Sequence, residues 1–508
     1  MFWALAVIAF AVLGAAAVWL GGLNQDEGWY LYAANMFADG RLPYRDFQYT
    51  QGPLLPIVYS PFTWVWNAWG LLGARVFTLL IGLVAIFVSA RTAADLSPEG
   101  RKCEAALVVA FLLGCNLYHL YYVAIPKTYA LASLLVAFGF RLLVKGISLR
   151  GSESFVFRFL IFFAGLFLAF AAGTRVSLGA LLCTVGCRFL FRREWRSLAW
   201  FCAGGFLGLG IVYGPFLLDR GALAGLIAAQ KYHAARGGFD AVFTVGSLSR
   251  LVRWYLPLFI VLGMGVAGKC LVPGANKDES SLDAPSTKRQ APSADILLWA
   301  FLTVFVVQML APFPYEDYQV PVMGLLAVFA AVAFVRAVDA PSSDCCFRLR
   351  PLLVFGLAYA CAFGSPLLQE WTVSRQDRFW SLKKRKSELA QLRDVAETIE
   401  ALDPGGKTLL TQDLYLAIET RRRVPEGLEM GPFSMLDDDR WQRLLGECDC
   451  EIAALSGYTF AVNPPRCNER PLDRQLAYWN ILRRRYEFVV REDDFGQNAT
   501  PLMILKRK

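Results

Sequence analysis

The chain has 508 residues, of which 56% are hydrophobic and 18% charged, with a mean hydropathy of +0.41. This excludes a soluble protein: the apolar residues gather in blocks of membrane-spanning size and the charges in the connections between them. The net charge of +9 then reflects basic loops on one membrane face rather than nucleic-acid binding.

In chain order, about eleven spans near the ~20 residues needed to cross are expected. They fall at 2–22, 70–90, 103–121, 123–144, 157–173, 175–192, 198–218, 251–271, 294–311, 318–336 and 351–368. No Lys or Arg precedes the first, so it reads as an uncleaved helix and not a signal peptide. The connection 23–69 that follows is long. It reads as two short interfacial helices, with Trp64, Trp66 and Trp69 suited to the headgroup level.

Alternate connections are basic. They carry Arg91, Arg101 and Lys102; Arg141, Lys145, Arg150 and Arg158; Arg188, Arg192, Arg193 and Arg196; Lys269, Lys277, Lys288 and Arg289; and Arg336, Arg348 and Arg350. The positive-inside rule makes these loops cytoplasmic and 23–69 extracytoplasmic. An odd number of spans puts the C-terminal tail outside too. Residues 1–370 are therefore expected to form a multi-pass domain of the cytoplasmic (inner) membrane, with 272–293, rich in Pro, Ser, Lys and Asp, as a flexible cytoplasmic linker. No repeat suggests the inverted halves of many transporters.

From 375 the composition changes. A charge-rich helix pattern at 375–402 precedes a strand candidate at 407–413, a helix candidate at 437–448 and a strand candidate at 451–462. A helix pattern at 473–486 and closing strands at 486–490 and 501–506 complete a small soluble α/β domain, 375–508. Cys448, Cys450 and Cys467 could oxidise outside the cytoplasm; their spacing points to no metal site. The domain shows no catalytic motif, leaving substrate recognition or a lid as its roles. The sequon at Asn498 matters only in a host that glycosylates secreted proteins.

The connection 23–69 opens with "NQDEGWYLYAANMFADGRLPYRDFQYTQGP", where Asp26 and Glu27 stand beside a just-surfaced span. One reading is local: Asn24 and Glu27 make a helix-capping pattern, with Asp26 favourable in the first turn. The other is chemical, because acids this close to the bilayer need water or a task. The pattern "DEGWY…A…M…G…P…GPLL…P", followed by "GLLGARVFTLL", resembles the GT-C glycosyltransferases of the dolichyl-phosphate-mannose–protein mannosyltransferase class, which includes bacterial aminoarabinose transferases. The resemblance covers residues 1–340. It implies an α-helical polytopic GT-C membrane domain that takes a sugar from a polyprenyl-phosphate carrier, usually with inversion. It also implies that Asp26 is the catalytic carboxylate, with Glu27 beside it.

Such a reaction needs a general base for the acceptor hydroxyl and fixed positive charge for the departing phosphate. The candidates for the phosphate are Arg45, Lys127 and Arg175, the last two at the outer ends of spans. Snorkelling to headgroups would explain these two equally, and family members often carry a carboxylate near the position of Lys127. Tyr30, Asp46, Tyr315, Glu316 and Tyr318 are candidates for substrate binding, with Asp317 in the same cluster; an interfacial belt is the plainer reading of 315–318. His233, beside Lys231 and Arg236, reads as a solvated loop residue. It and His119 lie far apart, which argues against zinc. Asp26 with Asp46 could hold a divalent ion, but a metal-free mechanism is favoured. The expected partners are the polyprenyl-phosphate sugar, membrane lipids and a lipid, polysaccharide or protein acceptor. The competing readings are a transporter or flippase of lipid-linked sugars and a noncatalytic envelope assembly protein.

Overall fold

Each of the first ten expected spans falls on a helix or on a bent pair of helices. The computed structural model describes residues 2–149, 155–234, 237–271, 294–338, 386–434, 436–457, 472–497 and 499–508. The expected span at 351–368, the linker 272–293, the start of the tail at 375–385, Cys467 and Asn498 lie outside the described residues.

Helix α1 (Phe2–Leu20) leads into the 23–69 connection, which contains α2 (Gln25–Ala38) and α3 (Leu54–Tyr59). Next comes α4 (Thr63–Leu96), interrupted at Gly70, whose φ of 62° is open to glycine and strained for other residues. The break separates an interfacial turn carrying the exposed Trp64 and Trp69 from the spanning part that begins at Leu71. Helices α5 (Lys102–Gly114) and α6 (Leu117–Ala124) meet at 71°. Pro126 then lacks an amide to donate and turns its predecessor away from helical geometry, so α7 runs from Thr128 to Ser148 with Lys127 as its N-cap. The boundary expected near 122 is thus displaced: the second half of that apolar stretch starts at 128.

Helices α8 (Phe155–Thr174), α9 (Ala180–Phe191) and α10 (Trp195–Leu218) follow. A Cβ on Gly165 would strike the Phe201 carbonyl, and one on Gly204 the Phe162 carbonyl, so α8 and α10 touch backbone to backbone, as small residues permit in membranes. Helices α11 (Arg220–Ala234) and α12 (Ala241–Trp254) lead to α13 (Leu256–Leu271), which is bent 80° from α12. Helix α14 (Asp295–Met309), a 3-10 turn at Glu316–Gln319 and α15 (Val320–Val338) complete this part.

This is a helical polytopic membrane protein. Among the described residues, five helical segments are long and apolar enough to cross a membrane, or seven if each bent pair is one span. Val7–Leu20, Val176–Phe191 and Asp295–Met309 are apolar but shorter. Helix length alone therefore supports fewer crossings than the eleven expected, because hydropathy carries on through breaks that geometry does not.

The tail comprises α16 (Glu388–Leu402), α17 (Leu414–Glu419), α18 (Asp438–Glu447) and α19 (Leu472–Arg485), with strands β1 (Ile452–Leu455), β2 (Tyr486–Phe495) and β3 (Thr500–Arg507). The sheet is antiparallel in the order β1-β3-β2, with Ile452 opposite Lys506 and Tyr486 opposite Arg507. The strand expected at 407–413 is reduced to isolated bridges, Thr408 to Arg423 and Leu410 to Ala453. Cys448 and Cys450 are free thiols that hydrogen-bond each other. The tail packs against α2 and the start of α4, so it shares a face with the 23–69 connection.

Candidate active site

Asn24 caps α2: its side-chain oxygen accepts the Asp26 amide (3.1 Å), while the Glu27 carboxylate accepts the Asn24 amide (2.9 Å). This is the reciprocal capping box of the local reading. The two acids then part, because neighbours on a helix point about 100° apart.

Glu27 turns into the bundle. Arg75 of α4 holds both its oxygens, at 2.6 and 2.7 Å, and neither side chain is exposed. The other Arg75 donors reach the carbonyls of Val18 (3.1 Å), Gly21 (2.8 Å) and Gly22 (2.9 Å) at the end of α1. Glu27 therefore ties α1, α2 and α4 together, and its carboxylate, wholly buried and accepting three hydrogen bonds, is turned away from the Asp26 group. The resemblance set it beside the catalytic acid; the geometry makes it an anchor.

Asp26 faces the other way. Its Oδ2 lies 2.7 Å from Lys127 Nζ, its Oδ1 accepts the Trp29 indole N–H (3.0 Å), and 24% of its side-chain surface stays open. Burial opposes ionisation, but the Lys127 ammonium outweighs it, aided by Trp29 and Arg175, and holds the carboxyl below its ordinary 3.8. Lys127 Nζ is also 3.4 Å from Asp317 Oδ2, which accepts the Tyr129 hydroxyl at 2.5 Å.

Arg175 follows α8. Its guanidinium carbon lies 4.4 Å from the Tyr318 ring centre and 5.0 Å from that of Tyr129, and one long contact reaches Thr128 Oγ1 (3.4 Å). The residue is 8% exposed, and no carboxylate among the described residues forms an ion pair with it. Tyr30, stacked on Trp29 (3.8 Å) and hydrogen-bonded to Thr128, closes one side; burial first, then the Asp26 charge, raises its phenol. On the other side Glu316 pairs with Arg250 of α12 (3.0 Å) and accepts Ser247 Oγ (3.2 Å). Tyr315 meets Phe243 (5.2 Å) and Tyr318 (5.6 Å) edge-on. These groups come from the start of α2, the entry to α7, the exit of α8 and the turn before α15, all at one end of the bundle.

Compared by sequence, the chain matches no family model and none of the curated proteins. Its structure resembles ArnT from Cupriavidus metallidurans bound to undecaprenyl phosphate, with a TM-score of 0.63 at 16% identity over 99% of this chain and 97% of that one. The apo ArnT structure gives 0.58 over 99% and 96%, also at 16% identity. The Archaeoglobus fulgidus oligosaccharyltransferase in complex with Zn and sulfate gives 0.53 at 11% identity, over 96% of this chain and 72% of that one. The fold is that of the GT-C glycosyltransferases.

Within this GT-C fold, Asp26, Lys127, Arg175, Tyr30 and Tyr318 converge, with Tyr315 and Glu316 alongside. Arg45 and Asp46 do not join them. Arg45 is 45% exposed and binds Asp46 (2.9 Å) and Asp219 (3.2 Å). Asp46 is held near pKa 2 by Arg45 and by the Leu42 amide. With both its oxygens engaged in this turn, it makes no ion pair or hydrogen bond with the Asp26 group. His119 is buried, its Nδ1 2.9 Å from the Tyr255 hydroxyl; His233 lies in α11. Sequence reasoning missed Arg250 and Arg75 and left Asp317 unassigned. The one available signal for Arg250 was its place on the amphipathic α12 just before an apolar run.

Proposed function

We propose that the protein is an integral-membrane glycosyltransferase that moves a sugar from a polyprenyl-phosphate carrier to an acceptor hydroxyl. The reaction takes place on the outer face of the cytoplasmic membrane. The observation that carries this reading is the placement of the partly open, ionised carboxylate of Asp26 within one cluster with Arg175, a buried cation that forms no carboxylate ion pair among the described residues. A buried guanidinium held only by aromatic faces and a hydroxyl keeps donors for an anion such as a carrier phosphate. One of the two ArnT structures contains undecaprenyl phosphate, and a structure of the oligosaccharyltransferase AglB from Archaeoglobus fulgidus contains a dolichol-phosphate.

In this mechanism the acceptor oxygen attacks the anomeric carbon as the bond from that carbon to the phosphate oxygen breaks. The electron pair leaves with the polyprenyl phosphate, and the hydroxyl proton passes to Asp26. Arg175 stabilises the departing phosphate, and Lys127 can turn from Asp26 toward it as its charge grows. Attack opposite the leaving group inverts the sugar carbon. The half-buried Tyr315 and Tyr318 line the place of the sugar, and the buried Tyr30 backs the Asp26 group. The positive-inside rule, applied to the basic connections of the sequence, supports an extracytoplasmic site. An odd number of crossings, as in the eleven-span reading, returns the tail to the same side.

The test uses purified protein in liposomes with polyprenyl-phosphate-linked sugars and envelope-derived acceptors, following release of free polyprenyl phosphate. Wild type should release it and Asp26→Asn should not. Full activity in Asp26→Asn rejects the site.

A further inference from the structure

The sequence leaves the soluble domain as a recognition module or a lid. Its contacts point elsewhere, toward the back of α2. Three tail acceptors take main-chain amides at the two ends of the connection that carries Asp26, two of them within it and one at the first residue of the span that follows. Glu388 Oε2 accepts Leu23 N–H (2.6 Å), Gln497 Oε1 accepts Gln25 N–H (2.7 Å) and Glu419 Oε2 accepts Leu71 N–H (2.8 Å). Gln25 and Leu71 open helical segments and Leu23 lies just before one, places where amides lack intrahelical partners. The tail thus supplies helix caps from more than 300 residues away in sequence.

The packing agrees with the caps. Gln25 Nε2 donates to the Gln412 carbonyl (2.8 Å), and the Tyr32 hydroxyl accepts the Val424 amide (3.1 Å). Between them, a Cβ on Gly28 would run into the Leu414–Tyr415 peptide, so α2 and α17 lie backbone against backbone. Residues 25, 28 and 32 line one face of α2 at helical spacing, and Asp26 points off another toward Lys127.

We infer that the C-terminal domain is a positioning clamp for the Asp26 helix: it holds α2 from behind so that the carboxylate stands against Lys127. Glu388, Glu419, Gln497 and Gly28 are its positioning residues. The inference rests on Asp26 as the base of the proposed reaction.

The test uses the full chain with two variants. One is Glu388→Ala/Glu419→Ala/Gln497→Ala, altered only in the tail; the other is Gly28→Val. Hydrogen exchange of residues 24–38, read by mass spectrometry, needs no transfer activity. It should quicken roughly tenfold or more in both variants while α7 and the tail sheet stay protected. In the transfer assay kcat should fall roughly 10- to 100-fold, with the donor KM nearly unchanged, and the acid limb of kcat should move up as Asp26 loses Lys127. Glu388→Gln/Glu419→Gln, which keeps both acceptors, should behave as wild type. Unchanged exchange over 24–38, or a loss confined to KM, overturns the clamp. If Gly28→Val does not accumulate, the triple variant decides. If wild type transfers no sugar, the proposed reaction fails, and the exchange data still judge the clamp.

Discussion

Arg75 closes on Glu27 with both prongs of its guanidinium, one residue away from a carboxylate that points at Lys127. Two adjacent acids thus have separate fates, one sealed in the bundle and one left partly open. Burying an ion pair is costly, but breaking it strands a charge. Arg75→Met or Glu27→Gln alone should therefore destabilise the membrane domain by about 3–5 kcal/mol. Pairing Glu27→Met with Arg75→Met should recover part of that loss, although the carbonyls of Val18 and Gly21 lose their Arg75 donors. Thermal unfolding in detergent, run as a double-mutant cycle, measures the coupling. Additive losses would contradict the pair.

Asp26→Asn keeps an oxygen for the Trp29 indole and is expected to fold normally. Turnover should fall by about 10²–10⁴ through loss of the base, with donor affinity little changed. Single-turnover transfer and donor binding, measured separately, check this.

The pH dependence has a definite sign. Burial would raise the Asp26 carboxyl, but Lys127 brings it below 3.8, so the base form and its share of stability are complete above that value. Both are lost only as pH falls through the lower folded value. Lys127→Met leaves burial opposed mainly by Trp29 and the more distant Arg175. The acid limb of the rate profile should then rise by about one unit or more. Rates between pH 3 and 8 test it, and an unmoved limb would refute the pairing.

Arg175 is held by the rings of Tyr129 and Tyr318, so its planar fork matters as well as its charge. Arg175→Ala should lower kcat/KM for the donor by about 100-fold, and Arg175→Lys should not restore it. Inhibition by free polyprenyl phosphate should weaken in parallel. Potent inhibition of Arg175→Ala would move the phosphate elsewhere.

Much of the candidate cluster was legible because charge at a span end is costly wherever it appears. Asp26, Lys127 and Arg175 stand out in an apolar chain for that reason, and the structure brings them together. What stayed hidden depends on distant pairing. Arg75 sits inside an expected span with nothing nearby to name Glu27 as its partner, and Arg45 looked available until Asp46 and Asp219 engaged it. Asp317 and Glu316 are adjacent, yet one faces Lys127 and the other Arg250. The tail's three longer helices and its closing strands could be traced from their periodicity, whereas the short α17 could not. Its docking on α2 could not, because main-chain amides leave no mark in a sequence.

Lys127 Nζ, 2.7 Å from Asp26 and 3.4 Å from Asp317, occupies the ground that a divalent ion bridging those acids would need. In the proposed reaction this lysine, built into the chain, would supply the counter-charge that a metal supplies elsewhere. Sugar transfer should survive EDTA undiminished and gain nothing from added magnesium or manganese. A chelator-sensitive rate would mean that the lysine swings aside to admit a cation.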